Sequence, residues 1–81
     1  MFMNKNSTED RVKLVISQVL KIEKSDISKN ANFVFDLGAD SMQSIELVAA
    51  FEEEFEIEMD EDKAFEVQNV SDAVTFINSY L

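Results

Sequence analysis

The chain has 81 residues, a formal net charge of −10, no cysteine and no histidine. This length suits one domain over residues 1–81, in which we expect residues 1–7 to be a flexible N-terminus. The composition excludes disulfides, thiolate metal sites and a histidine general base. Residues 30–81 hold thirteen acids against one base, a balance of −12. That charge excludes nucleic acid as a partner and favours basic protein surfaces.

The first helix is predicted from apolar residues at helical spacing, which are Val12, Val15, Ile16, Val19 and Leu20. Ser7 or Thr8 can cap its start, and the pattern ends near Glu23. A long connection over residues 24–40 follows. It has apolar anchors that we expect to pack along the bundle, namely Ile27, Phe33, Phe35 and Leu37.

A second helix is predicted to begin at Asp40, whose carboxylate can form a capping box with Gln43. Its expected buried stripe comprises Ile45, Val48, Phe51 and Phe55, widened by Met42 and Leu47. The acids of this helix fall largely on the other side, and they are Glu46, Glu52, Glu53 and Glu54.

Two further helical segments complete the predicted fold. A short one lies near residues 62–67, and a longer one, capped by Asn69 or Ser71, carries Val70, Ala73, Val74 and Ile77 at helical spacing. We therefore expect an all-α fold, a small four-helix bundle of three main helices and one short helix. No apolar run approaches the roughly 20 residues that span a bilayer, so no stable membrane insertion is expected.

The most informative stretch is Asp36-Leu37-Gly38-Ala39-Asp40-Ser41-Met42. Its only glycine permits a backbone angle or a close approach that a Cβ would block. A phosphodiester on the Ser41 hydroxyl would be stabilised by the free N–H groups and the dipole of the helix start. Taken alone, the same residues are also compatible with a plain turn and helix start, because serine is common there.

The stretch from Phe33 to Met42 closely resembles the prosthetic-group site of acyl carrier proteins, whose usual core is D-L-G-A-D-S-L. The resemblance continues through Ile45-Glu46-Leu47-Val48 and Phe51-Glu52-Glu53-Glu54-Phe55, and it covers residues 8–81. It implies that Ser41 is the attachment serine for 4′-phosphopantetheine, with Gly38 and Asp40 in the site motif. The modifying enzyme would be a phosphopantetheinyl transferase that uses coenzyme A and Mg²⁺.

The resemblance also implies the partners and their binding surfaces. Basic patches on fatty-acid-synthesis enzymes and acyltransferases would dock on the acids Asp40, Glu46, Glu52 and Glu53. The interior would shelter acyl chains, with candidate lining residues Ile45, Leu47, Val48, Phe51, Ile57, Met59, Ala64 and Val67. We expect no catalytic residue, no metal site, a monomer and a cytoplasmic location, although an organelle form without its transit peptide would look the same.

Three residues depart from the family pattern. Met42 replaces the usual leucine, and Gln43 and Phe35 stand where acids are common. An exposed Phe35 could alter partner choice or close over the arm. A polyketide, peptidyl or D-alanyl carrier remains an alternative, as does an acidic helical interaction module without a prosthetic group.

Overall fold

The structure is a computed structural model that describes residues 7–81. Its α-helices are α1 (Thr8–Leu20), α2 (Ser41–Phe55), α3 (Glu61–Ala64) and α4 (Val70–Asn78), with a 3₁₀ helix at Lys24–Asp26. The described residues contain an isolated β-bridge between Asn32 and Asn69 but no strand. The predicted all-α fold of three main helices and one short helix is confirmed. The flexible N-terminus was predicted for residues 1–7, of which residues 1–6 lie outside the described part.

Side-chain caps set the start of every α-helix. Ser7, Asp40, Asp60 and Asn69 each accept a hydrogen bond from the backbone N–H three residues later. The sequence offered two candidate N-cap residues for the first helix and two for the last. In the structure the caps are Ser7 and Asn69. At Asp40 the complete capping box forms, because the backbone N–H of Asp40 also donates to Gln43 Oε1 at 3.1 Å.

The predicted end of α1 near Glu23 is wrong, because the helix ends at Leu20. Lys21 adopts the left-handed conformation, with φ at 60°, which stops the helix. The backbone N–H groups of Lys21 and Ile22 both donate to the carbonyl of Ser17. They satisfy one of the last carbonyls of the helix, which would otherwise lack a partner.

The core lies where α1 packs against both α2 and α4. Val12, Ile16 and Val70 are 0% exposed and Ile77 is 1% exposed. Arg11 joins α1 to the end of α2. Its Nε donates to Glu54 Oε2 at 2.9 Å, and its guanidinium lies 4.3 Å from the ring centroid of Phe55.

The buried face of α2 differs from the predicted stripe. Leu47, Phe51 and Phe55 are buried, whereas Met42 is 71% exposed and Ile45 is 60% exposed. Since each helical residue turns about 100°, Ile45 lies roughly opposite Leu47 on the helix. The sequence offered apolar residues on both sides of α2, and the packing of this helix in the bundle determines which of them are buried. The prediction that Met42 and Ile45 belong to the buried stripe is therefore wrong.

The connection before α2 packs along the bundle, as predicted, but not through all of its anchors. Ile27 and Phe33 are buried, whereas Phe35 is 87% exposed, so its prediction as a packing anchor is wrong. The connection is attached to the start of α4 by backbone hydrogen bonds, from Phe33 N–H to Gln68 and from Val70 N–H to Ala31. No helix in residues 7–81 combines the length and hydropathy needed to cross a bilayer.

Candidate functional site

Ser41 is the first residue of α2, and its side chain is exposed. Its hydroxyl makes no hydrogen bond to any residue in 7–81, whereas the nearby Ser44 hydroxyl donates to the Asp40 carbonyl at 3.0 Å. The Asp40 side chain is itself engaged, accepting from Gln43 N–H at 2.8 Å. The Ser41 oxygen is therefore the hydroxyl at this helix start that is available for modification.

The loop that carries Ser41 is held by its own hydrogen bonds. Asn32 Oδ1 accepts from the backbone N–H groups of both Val34 and Phe35, and Asn32 N–H donates to Asp36 Oδ2 at 2.7 Å. The backbone N–H of Gly38 then donates to the Val34 carbonyl. These contacts define the path of the chain into α2 although the loop is largely exposed.

Gly38 is required for its backbone angle. Its φ is +75°, in the left-handed region that favours glycine, and a Cβ built on it would meet no atom within 4 Å. Of the two reasons considered from the sequence, the angle applies and the close approach does not. This turn leads the chain directly into the Asp40 cap and places Ser41 in the first turn of α2.

The residues at this helix start fit a phosphodiester on Ser41. The backbone N–H groups of Ser41 and Met42 have no acceptor among the described residues, because the Asp40 carboxylate accepts from Gln43 instead. Free N–H groups and the positive end of a 15-residue helix both favour a negative group at that point. Within residues 7–81, no group of three or more acidic, histidine or cysteine side chains is arranged to hold a metal ion.

Two of the predicted docking acids share one exposed face. Glu46 and Glu53 are both exposed on α2 and lie seven residues, close to two full turns, apart. Met42 and Ile45 are the exposed large apolar residues of this helix. On the helix surface Met42 lies about 40° from Glu46, and Ile45 lies about 60° from Met42. The outer face of α2, which we define as Met42, Ile45, Glu46 and Glu53, is thus part apolar and part acidic.

The other acids of α2 are engaged inside the protein. Glu52, a predicted docking acid, is half-buried, and its Oε2 accepts from Met59 N–H at 2.8 Å. Glu54 pairs with Arg11 at 2.9 Å. Asp40 is exposed at the helix start, close to Ser41. The sequence could not distinguish Glu52 from its neighbour Glu53, because both belong to the same acidic run.

A cavity of about 340 Å³ lies between α2 and α4, on the side of the bundle away from α1. Six predicted acyl-pocket residues line it, namely Leu47, Val48, Phe51, Met59, Ala64 and Val67. The other two do not, since Ile45 lies on the exposed outer face of α2 and Ile57 is half-buried elsewhere. Within the described range, 7–81, no charged side chain lines the cavity.

Several lining residues were missed from the sequence. The connection contributes Phe33, Val34 and Phe35, Phe65 follows α3, and α4 contributes Ala73, Phe76 and Ile77. The helical stripe of α4 did include Ala73 and Ile77, but periodicity does not reveal which cavity a buried residue adjoins. Ser44 also lines the cavity, less than one turn after Ser41. The cavity therefore reaches the helix turn that carries the free hydroxyl.

Comparisons with known proteins show what the whole chain is similar to. The model of a family described as "Phosphopantetheine attachment site" matches residues 10–77 of the chain. A curated acyl carrier protein from Guillardia theta is 45% identical over 76 residues, which cover 94% of this chain and 94% of that protein.

Proposed function

Since the chain belongs to the acyl carrier protein family, we propose that Ser41 carries its phosphopantetheine arm and that the arm holds acyl chains during fatty-acid synthesis. The family resemblance and the 4′-phosphopantetheine prosthetic group predicted from the sequence are confirmed by the two comparisons. We further propose that residues 1–81 form one carrier domain, which acts as a monomer in the cytoplasm beside its enzymes.

The observation that carries the proposal is the exposed Ser41 hydroxyl without a hydrogen-bond partner among residues 7–81, at the N-terminus of α2. In the loading reaction this oxygen attacks the phosphorus of coenzyme A that bears pantetheine. The bond from that phosphorus to the nucleotide part breaks, and the hydroxyl proton passes to the transferase. The free N–H groups of Ser41 and Met42 offset the negative charge of the phosphodiester that remains.

We propose that the chain supplies no catalytic residue of its own. It has no cysteine or histidine, and its exposed acids lack the burial that would make them general acids near neutral pH. The thiol that forms the acyl thioester belongs to the prosthetic group. The protein's part is to present that group at Ser41 and to shelter what it carries.

The uncharged cavity favours a fatty acyl chain over the alternatives. Transfer of an aliphatic chain from water into this cavity lowers the free energy. The cavity volume of about 340 Å³ falls within the usual range for small-molecule sites, about 300–1,000 Å³. The charged amine of a D-alanyl or peptidyl group would find no charged partner among the residues of 7–81 that line the cavity. The mass of the acyl-loaded protein, isolated from its native source, distinguishes fatty acyl, polyketide, peptidyl and D-alanyl groups.

Loading at Ser41 is tested by intact mass. The apo protein, incubated with coenzyme A, Mg²⁺ and a phosphopantetheinyl transferase, should gain one phosphopantetheine, and Ser41→Ala should gain none. Ser25→Ala is the matched control, because Ser25 is also exposed on a short helix. A wild-type protein that gains no mass would instead support the interaction module, and a loaded Ser41→Ala would refute the site.

We propose that the transferase, fatty-acid-synthesis enzymes and acyltransferases dock on the outer face of α2 and on Asp40. An enzyme that reaches Ser41 must approach this surface, and basic side chains on it would complement Glu46 and Glu53. Each exposed ion pair contributes only about 0.2–1 kcal/mol, so several must act together. The exposed Met42 and Ile45 would add apolar contact beside them. Glu52 takes no part in this docking, because its carboxylate accepts a hydrogen bond from Met59 N–H.

The docking surface is tested by reversing two charges. The double variant Glu46→Lys and Glu53→Lys should lower the loading rate constant by about tenfold at low salt, and the loss should shrink as salt is added. The control Glu58→Lys and Glu66→Lys changes net charge equally, at exposed positions outside α2. Equal losses in both double variants would show that net charge, and not this face, sets the rate.

A further inference from the structure

Four lining residues of the cavity differ from the others in being exposed, and three of them are large and apolar, the fourth being Gln68. Val34 is 54% exposed, Phe35 is 87% exposed and Phe65 is 48% exposed, although all three line the cavity. Most of the remaining apolar lining is buried, for example Phe51 at 6% and Ile77 at 1%. A residue that both lines a cavity and faces solvent lies at its mouth. The mouth is therefore mainly apolar, with Gln68 as its polar residue, and two of its residues are phenylalanines from separate segments.

The mouth opens near the attachment serine. Ser44 is the first residue of α2 that lines the cavity, and it lies three residues, less than one turn, after Ser41. A chain carried from Ser41 can therefore enter between the connection and α2. Large apolar side chains grouped at the edge of a cavity are typical of a ligand-binding groove, in contrast to single apolar residues scattered on a surface.

We propose that Phe35 and Phe65 contact the acyl chain at the mouth of the cavity and cover it there. This inference rests on the proposed function, because the occupant is the chain carried on Ser41. The backbone of Phe35 is held by its N–H bond to Asn32 Oδ1, at 2.9 Å, so covering needs only rotation of the side chain. A phenylalanine has few rotatable bonds, and it loses little conformational entropy when it is ordered.

Chain length should decide how much these residues contribute. A short chain can be held by the buried part of the cavity, whereas a long chain fills it and leaves its outer segment at the mouth. The two aromatic side chains then exclude water from that segment, and they bury their own exposed surface at the same time. The prediction is specific to the pair, because the outer face of α2 does not line the cavity.

The test compares butyryl and dodecanoyl chains transferred to Ser41, each ending in an environment-sensitive fluorophore, with loading verified by intact mass. For the double variant Phe35→Ala and Phe65→Ala, the ratio of shielded to exposed dodecanoyl chain should fall about tenfold. The butyryl ratio should change less than about twofold, because a short chain does not reach the mouth. Phe35→Leu should keep most of the shielding. Leu14→Ala, which removes an exposed apolar side chain on α1, should keep all of it.

Unchanged dodecanoyl shielding in the double variant would overturn the inference, as would equal losses for the two chain lengths. A second readout does not depend on loading. The unloaded protein, titrated with neutral dodecanoyl-pantetheine, should show NMR shifts at residues 34–35 and 65, and weaker binding in the double variant. Shifts confined to other segments would also overturn it. Failure of Ser41 to load, seen in the mass spectrum, contradicts the proposed function instead.

Discussion

The two sides of this bundle are packed differently. Where α1 meets α2 and α4, side chains such as Val12 and Ile16 are 0% exposed. Between α2 and α4, on the opposite side, the chain leaves a cavity of about 340 Å³ whose mouth reaches solvent. The difference indicates that the two regions have different roles. Contacts with α1 hold α2 and α4 together, whereas the cavity leaves space for a ligand. We call these regions the α1 side and the cavity side.

The two sides also differ in how their charges are used. On the α1 side, Arg11 pairs with Glu54 and Lys13 pairs with Glu9. On the cavity side, Met59 lines the cavity from within an acidic run over residues 56–62, whose nearest base in sequence is Lys63. Two side chains hold this run, since Met59 N–H donates to Glu52 and Asp60 N–H donates to Tyr80. The cavity side should therefore open more readily than the α1 side.

The largest effect is expected from truncating the α1 side. Ile16→Ala should cost about 3–5 kcal/mol in the free energy of unfolding, because a fully packed site cannot collapse around the lost atoms. Leu47→Ala, at the wall of the cavity, should cost only about 2 kcal/mol, because its side chain already lacks neighbours on one side. Urea unfolding measures both values. Equal costs would contradict the contrast between the two sides.

A smaller effect is expected at the loop that leads to Ser41. Gly38→Ala should cost about 1–2 kcal/mol, because an L-residue with a Cβ is strained at a positive φ. Asn tolerates this conformation better, so Gly38→Asn should cost less than Gly38→Ala. No neighbouring atom would clash with the new Cβ, so the difference isolates the backbone angle. If the two variants melt at the same temperature as wild type, the turn does not need the glycine.

The hydrogen bonds that hold the cavity wall should have a smaller effect still. Glu52→Ala removes the acceptor for Met59 N–H and should cost about 1 kcal/mol. Glu52→Gln keeps an acceptor oxygen at nearly the same place and is the matched control. Amide exchange at Met59 should accelerate in the alanine variant and stay close to wild type in the glutamine variant. Unchanged exchange in both would mean that this bond does not hold the wall.

The smallest expected effect is electrostatic. Crowded acids over residues 56–62 repel one another, so added salt, Mg²⁺ or mild acid should raise the melting temperature by a few degrees. Glu58→Gln should add about 0.3 kcal/mol at low salt by removing one of these charges. Glu23→Gln, at an exposed acid after α1, should leave stability nearly unchanged. A melting temperature indifferent to salt and divalent ions would contradict the expected repulsion.

How much the sequence predicted depended on how local the deciding interaction was. The caps at Asp40 and Asn69 were predicted because each needs only a side chain and an N–H three residues away. The side of α2 that is buried was predicted only in part. Ile45 and Leu47 are both apolar, and the packing of α2 in the bundle decides which of them is buried.

The site divides in the same way. The position of Ser41 at the start of α2 followed from the local pattern, and so did the need for Gly38 in the turn. Two features depend on how the segment after α2 packs against the bundle. They are the hydrogen bond from Met59 N–H to Glu52 and the position of Phe65 at the mouth of the cavity. No periodicity encodes that packing, so these two roles became visible only in the structure.

Hydrogen–deuterium exchange of the unloaded and acyl-loaded protein tests most directly whether a chain on Ser41 enters the cavity between α2 and α4. Loading with a dodecanoyl chain should slow exchange about threefold or more in residues 32–35 and 59–68, because the guest stabilises the walls that it contacts. The α1 segment should change little, since its contacts are already complete. Exchange that stays unchanged in both cavity segments after verified loading would contradict the account.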